Sequence, residues 1–255
     1  AAGQAESLEE DVFREPGVQR IIVRIHRDQV TLSADASGGA LHRRGYRQAT
    51  AKAPLRETLA AGMLLGCGWR PGDPLVDPMC GSGTIPIEAA MIARRIAPGL
   101  ARRFAAEQWR ALPPELFRTA REHARGMALP APPASIEASD RDAGAVAATI
   151  ANAERAGVAD DLTCTEAPIS ALKMHPGAGW LVTNPPYGVR VGEADRLRSL
   201  YASLGMTLVT RRPGWSLAML SAAPMLAGQV GMTLIERWQA SNGGIDVKLL
   251  VSANS

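Results

Sequence analysis

The sequence has 255 residues, of which 46% are hydrophobic and 21% are charged, with a formal net charge of +3. This composition is typical of a globular protein with one large domain, or one domain and a smaller appendage, and excludes a disordered chain. No apolar run approaches the roughly 20 residues of a membrane span, and residues 1–13 are too polar for a signal peptide, so we expect a cytoplasmic protein. The three cysteines lack CxxC spacing, which predicts buried free thiols and no metal site.

The first predicted element is a hairpin over residues 20–33, where apolar and polar residues alternate on both sides of Asp28-Gln29. Two strands do not form a stable domain by themselves, so we expect residues 1–48 to be the end of a preceding domain. Apolar residues at helical spacing then predict a helix within 53–67, with Pro54 in its first turn.

Strands and helices alternate along the rest of the chain. The predicted strands are 74–77, 135–139, 162–166, 180–183 and 215–220, and the predicted helices are 84–96, 142–156 and 194–211. This order indicates a mostly parallel sheet covered by helices on both faces. At the end, Asn242-Gly243-Gly244 between two strand-like arms predicts an antiparallel hairpin. We therefore predict an α/β fold with a mostly parallel seven-stranded sheet and a C-terminal antiparallel hairpin.

Residues 97–133 interrupt the first crossover as an insertion rich in arginine and proline. Residues 94–125 contain eight arginines and only three glutamates, with aromatic residues interspersed. Such a patch could bind a phosphate backbone, with the aromatics as stacking surfaces. It is equally typical of a solvated helical face with packed aromatics. The sequence alone leaves both interpretations open.

Two predicted strands end in acidic residues. In "LVDPMCGSGT" (75–84), Asp77 precedes a turn whose Gly81 and Gly83 let the backbone approach a ligand, and Thr84 is predicted to cap the next helix. The turn lacks the GxxxxGK[ST] and GxGxxG patterns, which favours some other nucleoside-like ligand. Asp140 follows the second strand, where it could accept hydrogen bonds from both ribose hydroxyls or cap a helix.

The segment "NPPYG" (184–188) stops another strand abruptly, because neither proline can donate to a sheet. Together with "DPMCGSGT", it resembles the S-adenosylmethionine-dependent methyltransferases that act on exocyclic amino groups of nucleobases. More narrowly, the chain is similar to the THUMP-containing RNA methyltransferases that make N2-methylguanosine in ribosomal or transfer RNA. The motifs that carry this similarity occur in order: "LHRRGYR" (41–47), "APLRETLAAGMLL" (53–65), "GSGTIPIEAAMIARRIAPGLARRFAAEQW" (81–109) and "NPPYG".

The resemblance implies a Rossmann-like class I methyltransferase domain over residues 49–255, preceded by a truncated THUMP domain over residues 1–48. It implies S-adenosylmethionine as cofactor, S-adenosylhomocysteine as product, structured RNA as substrate, no membrane, and a monomer. The Pro54 to Thr58 turn would lie near the methionine end of the cofactor. The residues expected to bind the cofactor are Pro54, Asp77, Pro78, Cys80, Gly81, Ser82, Gly83, Thr84, Asp140 and Arg141. The residues expected to bind RNA are Arg44, Arg47, Arg102 and Arg103.

An amine site is expected at Asn184, Pro185, Pro186 and Tyr187. An exocyclic amine is a poor nucleophile, because its lone pair is delocalised into the ring. The side-chain carbonyl of Asn184 and the main-chain carbonyl of Pro185 could each hold one amine hydrogen as charge develops. Tyr187 could stack on a base taken out of its helix, with Gly188 leaving room for it.

Other functions compete with guanine N2 methylation. The loop chemistry suits adenine N6 in RNA or DNA equally well, and the chain could also be a non-catalytic RNA-binding module. Cytosine C5 methylation through a nucleophilic Cys80 is disfavoured, because this cysteine lies inside the cofactor loop, and Cys164 is expected in the core. Related enzymes place an acid after the third strand, where this chain has Pro168, so backbone groups would contact the adenine there or the register differs by a few residues.

Overall fold

The computed structural model describes residues 19–48, 55–173, 177–187 and 194–253. The strands are β1 (Ile21–His26), β2 (Gln29–Ala34), β3 (Leu75–Asp77), β4 (Ile136–Asp140), β5 (Leu162–Glu166), β6 (Trp180–Thr183), β7 (Ser216–Ser221), β8 (Leu234–Asn242) and β9 (Ile245–Ser252). The helices are α1 (Glu57–Cys67), α2 (Thr84–Ala93), α3 (Pro114–Gly126), α4 (Ala143–Ala156), α5 (Ala194–Arg211) and the short α6 (Pro224–Ala227).

Seven strands form one sheet in the order β5-β4-β3-β6-β7-β9-β8. The pairs from β5 to β7 are parallel, and β9 pairs antiparallel with both β7 and β8. The order reverses between β3 and β6, because the chain first builds outward to β5 and then returns to the other side of β3. A reversal of this kind leaves a crevice at the carboxyl ends of the strands.

Apolar residues of the central strands alternate between two hydrophobic clusters, one on each face of the sheet. Leu181 and Leu217 belong to the cluster that includes the buried side chains of α5, whereas Val182 and Ala218 belong to the cluster under α1 and α2. This alternation follows from the period of two in a strand. Because helices cover both faces of the sheet, all residues of β6 are buried, as is typical of parallel strands in such sheets.

Both predicted hairpins form, although the first turns at Arg27-Asp28 rather than at Asp28-Gln29. The β1–β2 turn places Arg27 and Asp28 at φ of 45° and 59°, and the β8–β9 turn places Gly243 and Gly244 at 60° and 86°. Positive φ at both central residues gives the twist that a two-residue hairpin needs. Among the described residues, β1 and β2 pair only with each other, and every residue of both strands is exposed.

The predicted α/β fold with a mostly parallel seven-stranded sheet and a C-terminal hairpin is confirmed. The predicted elements differ from the structure mainly at their ends: α1 begins at Glu57 rather than near residue 53, and α2 ends at Ala93 rather than residue 96. The insertion contains α3. Cys164 was expected in the core but is half-buried, because β5 is an edge strand. Within the described ranges, no helix has the length and apolar character to cross a membrane.

Candidate active site

A cavity of about 790 Å³ opens at the carboxyl edge of the sheet, beside the reversal between β3 and β6. Its walls come from the carboxyl ends of β3, β4, β5 and β6, from α5 and from the start of β9. The lining residues are Met79, Asp140, Arg141, Pro168, Ile169, Asn184, Pro185, Pro186, Tyr187, Arg196, Leu197, Ser199, Leu200, Ser203 and Ile245. The fold therefore brings the predicted amine site together with two of the predicted cofactor residues, Asp140 and Arg141.

The glycine turn after β3 is fixed against α4 and β4. The Gly81 amide donates to the Asp140 carboxylate at 3.1 Å, and the Thr149 hydroxyl donates to the Gly81 carbonyl at 2.9 Å. Asn152 donates its side-chain amide to the Ser82 carbonyl at 2.8 Å. The sequence gives no signal for Thr149 and Asn152, because neither belongs to a motif. Their spacing of one helical turn carries no functional signal by itself. Their contacts hold the turn in one conformation beside the cavity.

Thr84 does not cap α2, contrary to the sequence prediction. Gly83 occupies the cap position with φ of 84°, and Thr84 is the first helical residue, with its side chain buried. A Cβ on Gly83 would lie 2.7 Å from the Cγ2 of Thr149, so both the dihedral angle and the space require glycine. The turn can therefore expose backbone amides at the start of a helix without a side chain in the way.

Asp77 is buried at the end of β3 and links the glycine turn to the end of β6. Its Oδ1 accepts from the Thr183 hydroxyl at 2.8 Å and from the Met79 amide at 3.2 Å. Burial raises the pKa of the Asp77 carboxyl to about 7, against the opposing effect of these two hydrogen bonds. Asp77 is thus a connection between the two halves of the site, and it lies behind the cavity wall instead of lining it.

Asp140 lies at the cavity wall with acceptor capacity to spare. One carboxylate oxygen accepts from Gly81 and the other from the Asp142 amide at 3.1 Å, and each oxygen has a further lone pair. Pro168 and Ile169 also line the cavity, just after β5, whereas Glu166 pairs with Asp140 in the strand register and is not among the lining residues. The structure thus places Pro168, and no acid, at the wall beside Asp140.

Asn184 lines the cavity and carries a buried polar atom without a hydrogen-bond partner among the described residues. Its side-chain Oδ1 is buried and accepts no hydrogen bond from the described part of the chain. Buried carbonyl oxygens normally have a partner, so an orphan on a residue that lines the cavity is a candidate acceptor for a ligand. The following Pro185 is buried and Pro186 is exposed, so the segment reaches the rim of the cavity at these two residues. Their rings restrict the backbone there.

Two residues that carry no motif hold the amine segment from outside. The Tyr201 hydroxyl of α5 donates to the Pro186 carbonyl at 3.4 Å, and Asn242 at the end of β8 donates to the Tyr187 hydroxyl at 3.3 Å. Burial raises the pKa of Tyr201 to about 12, so its hydroxyl stays a donor over the neutral range. The sequence alone gives no signal for either contact, because the partners are 15 and 55 residues apart.

Comparison with protein families matches residues 44–250 to the RMKL-like methyltransferase domain. The match spans the glycine turn, the cavity and the C-terminal hairpin. The chain belongs to this family. The predicted class I methyltransferase fold and the resemblance drawn from the sequence motifs agree with this assignment.

The RMKL-like domain has relatives among proteins and solved structures. It is 44% identical to the ribosomal RNA large subunit methyltransferase K/L of Syntrophotalea carbinolica, over 91% of the chain and 34% of the relative. The structure of the methyltransferase SMU.472 complexed with SAH superposes with a TM-score of 0.83 at 31% identity, over 95% of this chain and 66% of that one. A predicted N6-adenine-specific DNA methylase from Listeria monocytogenes superposes with a TM-score of 0.80 at 33% identity, over 94% and 64%. The chain spans about a third of the length of the curated relatives it matches.

Two of the four arginines expected to bind RNA are instead structural in the RMKL-like domain. Arg44 forms an ion pair with Glu88 of α2 at 3.3 Å, and Arg47 pairs with Glu57 of α1 at 3.1 Å; their side chains are only 10% and 11% exposed. Tyr46 between them donates to Glu88 at 3.1 Å. The "LHRRGYR" motif therefore attaches its segment to α1 and α2, and the prediction of RNA contacts for these two arginines does not agree with their burial.

Arg102 is also engaged within the chain. Its guanidinium lies 5.1 Å from the centre of the Phe104 ring and donates to the carbonyls of Ser37, Gly39 and Ala40. These bonds use its terminal nitrogens, so it is a poor candidate for phosphate contacts. Arg103 next to it is exposed. Of the four predicted RNA contacts, the structure leaves Arg103 free to face a partner.

Cys80 is buried, with its thiol 3.5 Å from the Thr149 hydroxyl, and burial raises its thiol pKa above the ordinary range. A neutral, enclosed thiol is a poor nucleophile, which agrees with the expectation against cytosine C5 chemistry. Within the described ranges, no three His, Cys, Asp or Glu residues cluster as metal ligands would. Pro54 and Gly188, which were predicted to lie at the site, fall outside the described residues.

Proposed function

We propose that this domain transfers a methyl group from S-adenosylmethionine to the N2 amine of guanine in ribosomal RNA. The buried Oδ1 of Asn184, a residue of the cavity wall, is the observation that carries the proposal, because it is an acceptor with no partner among the described residues. The names of the curated relatives, which are ribosomal RNA large subunit methyltransferases, support the choice of RNA.

The cavity residues fit the proposed cofactor. Asp140 has free lone pairs for ribose hydroxyls, and Pro168, Ile169 and Met79 offer apolar surface for a base. The glycine turn lets a ligand approach the backbone closely, since Gly81 has open space where a Cβ would be. The cavity of about 790 Å³ lies in the size range of ligand pockets of roughly 300–1,000 Å³. The neighbour SMU.472, which was solved with SAH, supports the same ligand class.

The amine segment would activate the acceptor nitrogen by hydrogen bonding. Asn184 Oδ1 and the Pro185 carbonyl would each accept one amine hydrogen, which localises the lone pair on nitrogen and favours a tetrahedral geometry. When bound, S-adenosylmethionine supplies a methyl group on a positively charged sulfur, so no metal or covalent nucleophile is required. Tyr187 would stack on the extruded base and aim the nitrogen. The methyl carbon–sulfur bond would break as the new carbon–nitrogen bond forms, which would leave S-adenosylhomocysteine, and one amine proton would be lost to solvent.

Adenine N6 is the second candidate acceptor. The structural neighbour from Listeria monocytogenes, described as a predicted N6-adenine-specific DNA methylase, favours it. Both amines carry two hydrogens on a delocalised nitrogen, so Asn184 and Pro185 suit either. The product nucleoside separates them: the proposal requires N2-methylguanosine, and N6-methyladenosine would support the alternative. The third candidate, a non-catalytic RNA-binding module, would yield neither product.

We also propose that the chain up to the β1–β2 hairpin ends a separate THUMP domain. The expected boundary at residue 48 is too late, because residues 44–47 pack on α1 and α2 within the methyltransferase domain. The β1–β2 hairpin supports this division, because Ile21, Ile25 and Leu32 are 62%, 74% and 70% exposed. Apolar patches of this kind normally have a partner. The proposed ribosomal RNA substrate supports a cytoplasmic location.

The exposed arginines of the insertion are the proposed phosphate contacts. Arg103, Arg110 and Arg125 are exposed, and α3 buries none of its side chains. Replacing all three with Ala is expected to weaken binding to ribosomal RNA and to reduce the slope of log K against log salt by about 1 to 3, since each phosphate contact contributes roughly 0.7–0.9. Fluorescence anisotropy across a salt series measures this slope.

Arg70→Ala is the matched control for this salt series. Arg70 is exposed, but it precedes β3 and so lies at the amino edge of the sheet, away from the cavity. Its loss should leave the slope unchanged. If the triple variant keeps the parent slope, the insertion has no part in RNA binding.

A further inference from the structure

The C-terminal hairpin reaches the amine segment through one buried side chain. Asn242 is the last residue of β8, yet it is only 3% exposed, and its Nδ2 donates to the Tyr187 hydroxyl at 3.3 Å. Its direct partner across the hairpin is Ile245, which lines the cavity. Directly opposed residues of an antiparallel pair share a face, so the end of this hairpin presents both side chains to the site.

Tyr187 needs such a contact to hold one orientation. The backbone before it is restricted by two prolines, and the Pro186 carbonyl accepts from Tyr201. The ring itself turns about two side-chain torsions, and only part of it packs on the neighbouring hydrophobic cluster. A hydrogen bond at the hydroxyl, the atom farthest from the backbone, restrains the first torsion and so fixes the direction of the ring axis, while packing on the cluster limits rotation about the second.

We propose that Asn242 is a positioning residue that sets the orientation of the Tyr187 ring and, through it, the orientation of the base that stacks on it. The inference rests on the proposed function, because a stacked base gives the orientation its purpose. Asn242 itself does not line the cavity and would not touch the reacting nitrogen. A tilted ring would still bind RNA, whose affinity comes mainly from phosphate contacts, but would misdirect the amine.

Kinetics of single and double variants test this role. Asn242→Ala and Tyr187→Phe are each expected to lower kcat about three- to tenfold, the effect of one neutral hydrogen bond, with KM for RNA changed less than about twofold. Because Tyr187→Phe removes the same bond from the other partner, the double variant should be no slower than the slower single variant. Ser241→Ala, an exposed position beside Asn242, should behave as the parent protein. Single-variant effects that multiply would overturn the proposal.

A spectroscopic readout separates this inference from the proposed function. The chain has three tyrosines, so a protein labelled with ¹³C at the tyrosine ζ carbon gives three assignable signals, with Tyr187 identified by its loss in Tyr187→Phe. Asn242→Ala should shift the Tyr187 signal and leave Tyr46 in place, with the melting temperature showing that the variant folds. An unshifted Tyr187 signal would refute the contact. A parent protein that methylates no ribosomal RNA would refute the proposed function, whatever the Tyr187 signal shows.

Discussion

Replacing Asn184 with Ala is expected to lower methyl transfer by at least about tenfold while S-adenosylmethionine binding stays intact. The substitution removes the one buried acceptor of the cavity wall that has no partner within the described residues, and losses of a transition-state hydrogen bond reach about 100-fold or more. Transfer to ribosomal RNA is measured by incorporation of a labelled methyl group, and cofactor binding by calorimetry.

Asp140→Ala is the complementary variant for Asn184. Asp140 lines the cavity but lies on the cofactor side, so its loss should weaken cofactor binding rather than turnover at saturating cofactor. Thr163→Ala, an exposed position on the edge strand β5, should change neither property. Parent-level turnover in Asn184→Ala would remove the proposed amine site, even if Asp140→Ala behaves as expected.

Gly205→Ala is expected to destabilise the protein by about 3 kcal/mol, the upper end of the cost of overpacking. Gly205 lies inside α5, where a Cβ would be 1.8 Å from the Val230 carbonyl oxygen, a backbone atom that cannot rotate away. Helix α5 would have to move, and with it Tyr201 and the cavity residues it carries. Urea denaturation followed by circular dichroism measures the free energy of unfolding.

Gly62→Ala is the matched control for Gly205→Ala. Gly62 also lies inside a helix, α1, but the nearest atom to its added Cβ is a Trp238 ring carbon at 3.9 Å, an ordinary contact. Because alanine is the better helix former, this variant should be more stable by about 0.5–1 kcal/mol. A Gly205→Ala variant that gains stability as Gly62→Ala does would contradict the close approach of α5 to Val230.

The fold could be predicted from the sequence because the features that determine its strands and turns are local. Runs such as 180–183 end at prolines, Gly243-Gly244 demands a tight turn, and strands and helices alternate, so the predicted and observed strands agree within one or two residues. The start of α1 and the cap of α2 were predicted wrongly. Gly83 rather than Thr84 occupies the cap of α2, since the crowding by Thr149 that requires glycine comes from a distant helix.

Only part of the candidate site could be predicted from the sequence, because several of its contacts join residues that are far apart in the chain. Motifs identify Asp140 and Asn184, because each follows a strand at the carboxyl edge. The motifs do not predict that Arg44 and Arg47 pair with glutamates on α2 and α1. The residue type alone does not distinguish an arginine that faces solvent from one that pairs with a buried carboxylate. Asn242 and Tyr201 were missed because only the completed sheet brings them to the amine segment.

The identity of the methylated nucleoside decides whether the protein transfers a methyl group to guanine N2. Unmethylated large-subunit ribosomal RNA would be incubated with the protein and with S-adenosylmethionine carrying a deuterated methyl group, then digested and analysed by mass spectrometry. We expect deuterium in N2-methylguanosine, and none when Asn184 is replaced by Ala. Deuterium in N6-methyladenosine would contradict the assignment to guanine, and its absence from every nucleoside, in a protein that binds the cofactor, would contradict the catalytic account itself.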